Sequence, residues 1–367
     1  MTTLSGPGAA EDAVSARRRS TMRDVAALAG VSVKTVSRVV NDEPGVSEEL
    51  LIKVRRAAHQ LDYRPDFSAS NLRRSDRRTA TIGLMVEDVA NEFSAAVHAG
   101  VEEAARERGV AVLTASVADD PARERDAVEA FSARRVDGLV VIPSGFDESL
   151  SWSERDIGMP LVFVDRAPRG IATDCVLTNN REGARRGVEH LQEHGHRDIA
   201  FLGGIARLDT AQERYDGFLD ALAGAGVAVR PDWVHRDLRN PEQASQAVRS
   251  MVTAPSKPTA IFAAQNLLAM GAFRALREAG LNHSIALVGF DDFALADMLD
   301  PAVTVIAQEP RTIGYRAAEL LFDRMDAQST NGNGGGAPVH REPTSYVVPS
   351  QLIVRESSLI PPRELAL

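Results

Sequence analysis

At 367 residues the chain is long enough for two or three domains with real hydrophobic cores. Its composition, 44% hydrophobic and 25% charged, is ordinary for a globular protein, and no apolar run of about 18 residues or signal-peptide pattern points to a membrane or to export, so a cytoplasmic location is expected. The net charge of −9 is unevenly spread: residues 1–78 hold 14 Lys+Arg against 10 Asp+Glu, +4, and the remainder 28 against 41, −13. A basic segment ahead of an acidic body suits nucleic acid held at one end, because cations displace counterions from DNA while the acidic remainder repels it. The single cysteine, Cys175, excludes an internal disulfide and makes a cysteine-based metal cluster implausible; it is expected to be a core thiol.

Residues 1–20 are rich in Gly, Ala, Ser and Pro and end in three arginines, the composition of a disordered tail whose charges either touch phosphate or stay solvated. Residues 21–41, TMRDVAALAGVSVKTVSRVVN, read as two short helices around a tight turn. Thr21 and Asp24 approximate a capping box, with Val25, Leu28 and Ala29 on one apolar face. Gly30 can take the left-handed turn and Ser32 can cap the second helix. There Val36, Val39 and Val40 form the packing side, while Val33, Lys34, Ser37 and Arg38 lie opposite. A plain amphipathic surface helix would give the same spacing. Ser47 then caps a third helix whose Leu50, Leu51, Val54, Ala58 and Leu61 close a small core, with Lys53, Arg55 and Arg56 outward.

The segment 64–78 is basic and Pro65–Arg73 is too short to hold as an isolated helix, so conditional structure is expected. From about Thr79 apolar runs alternate with helical stretches, as in parallel sheets covered by helices on both faces. Strands are expected at 82–86, 110–115, 138–142 and 161–164 in one half and at 199–202, 260–264 and 285–289 in the other. Open parallel sheets bind ligands beyond the carboxyl ends of their strands, which singles out Glu87, Asp88, Ser116, Asp165, Arg166, Gln265, Asn266, Asp291 and Asp292. Such a set of carboxylates, amides and a guanidinium suits a polyhydroxylated ligand, although solvent-facing strand ends are polar in any case.

The D-V-A, A-G-V-S and T-V-S-R-V-V-N strings of residues 24–41 match the reading head of the lactose-repressor (LacI) family nearly residue for residue. TIGLMV, RRVDGLVVIPSG, FVDRAP, ERYDGF, LAMGA, VGFDDF and LIVRES resemble its landmarks in order over nearly the whole chain. The resemblance implies a small all-α helix-turn-helix head (21–63), a hinge (64–78), and an α/β periplasmic-binding-protein-like core of two doubly wound parallel-sheet subdomains (79–357). The first subdomain is expected at about 79–178 and 308–326 and the second at 179–307 and 345–357, with a flexible Gly/Asn-rich loop at 329–340 and a tail at 358–367. It further implies a homodimer on a double-stranded DNA operator. Arg38, Lys34 and Val33 would reach base edges, and Thr21, Ser32, Thr35 and Asn41 would position the backbone. Leu72 of the hinge would wedge into the minor groove, unless it merely rests on the next domain. Asp165, Arg214 and Asp291 fall on effector-contacting positions, with Thr210 a weaker match.

Departures from the family pattern narrow the effector. Gln265-Asn266 stands where Asn-Asp is common, Phe93 alone survives of an early aromatic pair, and Leu238 replaces a third aromatic. With fewer rings to stack on, a common hexose or purine becomes less favoured, and a smaller or more charged effector, a phosphosugar or a lost ligand response stay open. No G-x-G-x-x-G after a strand, P-loop, G-x-S-x-G or H-E-x-x-H occurs, so neither enzyme nor cofactor is expected. His190, His194 and His196 are too few for zinc and read better as a helix C-terminus.

Overall fold

The computed structural model describes residues 20–40, 45–63, 78–145, 158–167, 173–331 and 342–362. The chain divides into two units, 1–77 and 78–367. In the first, helices α1 (Met22–Ala29), α2 (Val33–Val40) and α3 (Glu48–Gln60) surround a core of Val25, Ala29, Val36, Val39, Val54 and Ala57. The capping box is present: Thr21 N donates to Asp24 Oδ2 at 2.7 Å, and Asp24 N returns to Thr21 Oγ1 at 3.4 Å. Gly30 ends α1 with φ 63°, and Thr35 N bonds Ser32 Oγ at 3.1 Å. Three details differ from expectation. Leu28 is 51% exposed, because the buried face of α1 is set by Val25, Ala26 and Ala29, about a third of a turn away. Ala57 takes the core position expected of Leu50, which is half-buried outside that cluster, and Ser47 makes no side-chain cap bond.

The second unit holds two six-stranded sheets. Strands β1 (Thr81–Val86), β2 (Ala111–Ser116), β3 (Leu139–Val141), β4 (Leu161–Val164), β5 (Asp174–Thr178) and β11 (Ser345–Val348) form an all-parallel sheet in the order β11-β5-β4-β3-β1-β2. Strands β6 (Ile199–Leu202), β7 (Val234–His235), β8 (Ala260–Ala263), β9 (Ala286–Phe290), β10 (Thr304–Ala307) and β12 (Gln351–Ile353) form the other, β12-β10-β9-β8-β6-β7, with only β12 antiparallel. Their near-continuous burial reflects helices on both faces. The strand order reverses at β1/β3 and at β6/β8, which puts a ligand crevice at their carboxyl ends.

Three crossings join the subdomains: after β5 into α6 (Asn180–Glu193), after β10 into α10 (Pro310–Asn331), and between β11 and β12. The last lies later than expected, since Ser345–Val348 belongs to the first sheet rather than the second. Buried Asp174 fixes it there, accepting Thr344 N at 2.6 Å and Arg324 Nε at 2.5 Å. Asn179 Oδ1 then accepts Ser350 N at 2.7 Å, tying one crossing to another. Helix α4 (Glu92–Glu107) packs so closely on α10 that a Cβ on Gly100 would lie 2.0 Å from Arg311 O, and one on Gly314 2.1 Å from Val97 O. Cys175 is buried in β5, where burial and Asp174 push its thiol up to about 11. His190 bonds Ser358 Oγ at 2.8 Å, and His196 bridges Thr259 Oγ1 and Ile360 O at 2.9 and 2.8 Å. Both are structural joints, held below the usual histidine range chiefly by burial.

Candidate functional site

On the reading head, helix α2 presents Val33 (42% exposed) and Lys34 outward, with Ser37 and Arg38 half-buried at its side. Val36 and Val39 face inward, so packing fixes which side is left open. Thr21 is committed to the α1 cap, its hydroxyl also donating to Asp24 at 2.7 Å. Ser32 and Thr35 share a 2.9 Å hydroxyl contact at the exposed start of α2, where amide N–H groups favour an anion such as phosphate. Asn41 and Leu72 lie outside the described residues.

Between the two sheets a cleft encloses about 220 Å³. Phe93, Asp165, Thr210, Arg214, Gln265, Asn266 and Asp291 all line it. They reach it from the ends of β4, β8 and β9, the start of α4, and helix α7 (Asp209–Gly224). Of the other strand-end residues, Glu87, Asp88 and Arg166 also line it, whereas Ser116 accepts Val89 N at 3.1 Å and Asp292 pairs with Arg355 at 2.7 Å.

The two walls differ in charge. On the first, Arg166 is buried and turned inward: Nη1 lies 2.7 Å from Asp119 Oδ1 and 2.9 Å from Pro143 O, and Nε 3.2 Å from Asp165 Oδ2. Burial opposes its charge, but Asp119 and Asp165 more than offset this and raise its pKa. Burial likewise raises Asp165, and pushes Glu87 up to about 7 with the help of Asp119. On the second wall, Arg214 donates to Asn180 Oδ1 (2.8 Å), Ala264 O (2.9 Å) and Asp291 Oδ2 (3.2 Å), its guanidinium 3.8 Å over the Phe290 ring. Gln308 Nε2 donates to the other Asp291 oxygen at 2.6 Å. Asn266 Oδ1 accepts Leu267 N at 2.8 Å, which leaves its amide nitrogen for the cleft.

Sequence reasoning missed Asp119, Leu208, Arg239 and Gln308. Gln308 was reachable: it follows β10, whose TVIA run obeys the same strand-end rule. Leu238, standing in an aromatic position of the family, does line the cleft. Arg207 adds a tie between walls, donating to Asp119 O at 2.9 Å.

Comparison with known proteins follows the same division. Residues 21–66 match the model of the bacterial regulatory proteins of the lacI family, and 79–339 that of periplasmic binding proteins and the sugar binding domain of the LacI family. The chain is 33% identical over 314 residues to the ribose operon repressor of Haemophilus influenzae, covering 85% of this chain and 94% of that one. It is 31% identical over 313 residues to the HTH-type transcriptional repressor PurR of Pasteurella multocida, covering 84% and 93%. Among solved structures it resembles the Lac repressor dimer bound to operator and the anti-inducer ONPF, with 27% identity, a TM-score of 0.78, and 93% of this chain and 100% of that one covered. The complex of the transcriptional regulator CelR with cellobiose matches at 30% identity and a TM-score of 0.67, covering 92% and 100%. These relatives regulate transcription and are not enzymes. The chain belongs to the LacI family: it is a DNA-binding bacterial transcriptional regulator of the repressor type, with a metabolite-binding core behind its reading head.

Proposed function

We propose that the protein works in the cytoplasm as a homodimeric repressor on a near-palindromic operator, released or engaged by a small molecule in the inter-subdomain cleft. The observation that carries this is the cleft: seven residues expected at effector positions line one cavity between subdomains joined by three crossings. A ligand touching both walls biases their relative placement, and it acts only through unequal affinity for the two states. An effector that favours the DNA-binding state is a corepressor, and one that favours the other an inducer. Two heads on a two-fold axis account for a palindromic site, and the Lac repressor that the chain resembles is likewise a dimer bound to operator. Arg38 suits guanine, Lys34 guanine or phosphate, and Val33 a thymine methyl. Ser37 sits beside them, Thr21, Ser32, Thr35 and Asn41 hold the backbone, and Leu72 is the minor-groove wedge. The effector is a sugar or sugar derivative, held by Asp165, Arg214 and Asp291 with Phe93, Thr210, Gln265 and Asn266.

A thermal-shift panel of sugars, sugar derivatives, nucleosides and small acids tests this reading, since a ligand at about 100 times its Kd stabilises by roughly 2.7 kcal/mol. A stabilising compound is expected to change operator affinity. Stabilisation with no change in operator affinity would remove the effector role from the cleft.

A further inference from the structure

The cleft is not evenly polar, and its imbalance bears on the chemistry of what fills it. Five carboxylates line it against three guanidinium groups. Two of those guanidiniums are already paired with carboxylates of the protein: Arg166 with Asp119 and Asp165, its Nε buried without a hydrogen-bond partner, and Arg214 with Asp291, beside Asn180 and the Ala264 carbonyl. The third, Arg239, is exposed at the rim. On the first wall two carboxylates make no ion pair among the described residues. Glu87 makes no side-chain hydrogen bond or ion pair among the described residues, and Asp88 accepts only Ala90 N, at 3.0 Å.

Gln308 supplies a second, independent sign. It is 9% exposed and lines the cleft; its Nε2 is fixed toward Asp291, and its Oε1 is buried without a donor. The carboxylate settles which end of the amide is nitrogen, because only the NH2 end can face it at 2.6 Å. A buried acceptor without a donor is unfavourable, and a donor on the ligand relieves it.

The geometry points to an effector that carries a basic nitrogen on a hydroxyl-bearing frame, its ammonium set against Glu87 and Asp88 and a further N–H or O–H against Gln308 Oε1. This rests on the reading of the cleft as the effector site and narrows it to aminated rather than neutral or phosphorylated sugars. A phosphate in the interior of the cleft would meet Glu87 and Asp88, and the interior guanidiniums of Arg166 and Arg214 are each paired with a carboxylate, so like charges at close range disfavour it. An ammonium meets the opposite situation and brings the donors that the first wall lacks.

The test is a matched series on the full-length protein: glucosamine, galactosamine and mannosamine, each beside its parent hexose and that hexose 6-phosphate, followed by thermal shift and titration calorimetry. The amine is expected to bind at least about tenfold tighter than its parent, with the 6-phosphate weakest, and Glu87→Gln is expected to remove most of that preference. Equal or tighter binding of a hexose or its phosphate overturns the proposal. So does silence from every amine at millimolar concentration, or a Glu87→Gln protein, confirmed folded by its melting curve, that keeps the full preference. Operator binding measured in parallel separates the two readings: silence with operator binding intact rejects only the amine, whereas a protein that binds no DNA rejects the regulator.

Discussion

Asp165 and Asp291 occupy the same station in the two halves of the core. Each follows the third strand in from the β11 or β12 edge of its sheet, and each has a left-handed backbone, with φ 67° and 68°. Each sends its N–H to the next strand outward, Asp165 to Val176 O at 3.0 Å and Asp291 to Ile306 O at 2.8 Å. Aspartate tolerates this conformation better than most residues, and it turns both carboxylates into the cleft. The two differ in partner: Asp165 is bound to Arg166 on its own wall, while Asp291 joins Arg214 to Gln308.

Asp291→Ala therefore removes the only carboxylate that Arg214 contacts among the described residues, leaves a buried guanidinium, and puts alanine at a positive φ. A loss of about 3–5 kcal/mol is expected in urea unfolding of the core. Asp291→Asn keeps the turn and one acceptor and should lose roughly half as much. Equal losses would show that the charge, rather than the backbone and the hydrogen bonds, dominates.

The α4–α10 contact gives a second prediction. At Gly100 the obstacle to a side chain is the Arg311 carbonyl, which cannot turn aside, so Gly100→Ala should cost about 3 kcal/mol or more. Gly224 is the control: it ends α7, and nothing lies within 4 Å of a Cβ placed there, so Gly224→Ala should be neutral or stabilise by up to about 1 kcal/mol. Melting temperatures of the two variants decide it.

Glu87 sets a pH dependence. Burial, with Asp119, Asp165 and Asp88 nearby, outweighs the attraction of Arg166 and raises its folded pKa to about 7, above the ordinary carboxylate value. Folding therefore takes up a proton at this group. Its favourable contribution is complete below the unfolded value of 4.5 and is lost as pH rises to about 7. Glu87→Gln has no such loss, so its melting temperature should exceed that of the wild type by about 3 °C or more at pH 8 and approach it at pH 5. A difference independent of pH would contradict the assignment.

On the head, Arg38→Ala should lose roughly 1–3 kcal/mol at specific sites and much less on random DNA. Equal losses on both would assign Arg38 to phosphate instead of a base.

The main features of both units were legible in the sequence because local chemistry specifies them. The Thr21–Asp24 box, the left-handed Gly30 and the valines of α2 each act within a few residues. The buried parallel strands likewise declare themselves as apolar runs. What the sequence concealed depends on distant partners. The place of β11 is set by Asp174, 170 residues before the Thr344 amide it accepts. Arg166 looked available to a ligand until Asp119, from the loop after β2, proved to hold it. Leu28 and Leu50 yield their expected core places to the smaller Ala26 and Ala57 because short helices have narrow buried faces, and a single residue of rotation decides which side chain is covered.

The most direct test of the regulator itself is selection from a randomised duplex pool with the purified full-length protein, followed by sequencing of the bound DNA. The account predicts enrichment of a near-palindrome, two inverted half-sites about a central step, lost when Val33, Lys34 and Arg38 are replaced by alanine. Bound DNA with no sequence in common, or a consensus unchanged by those replacements, would contradict it.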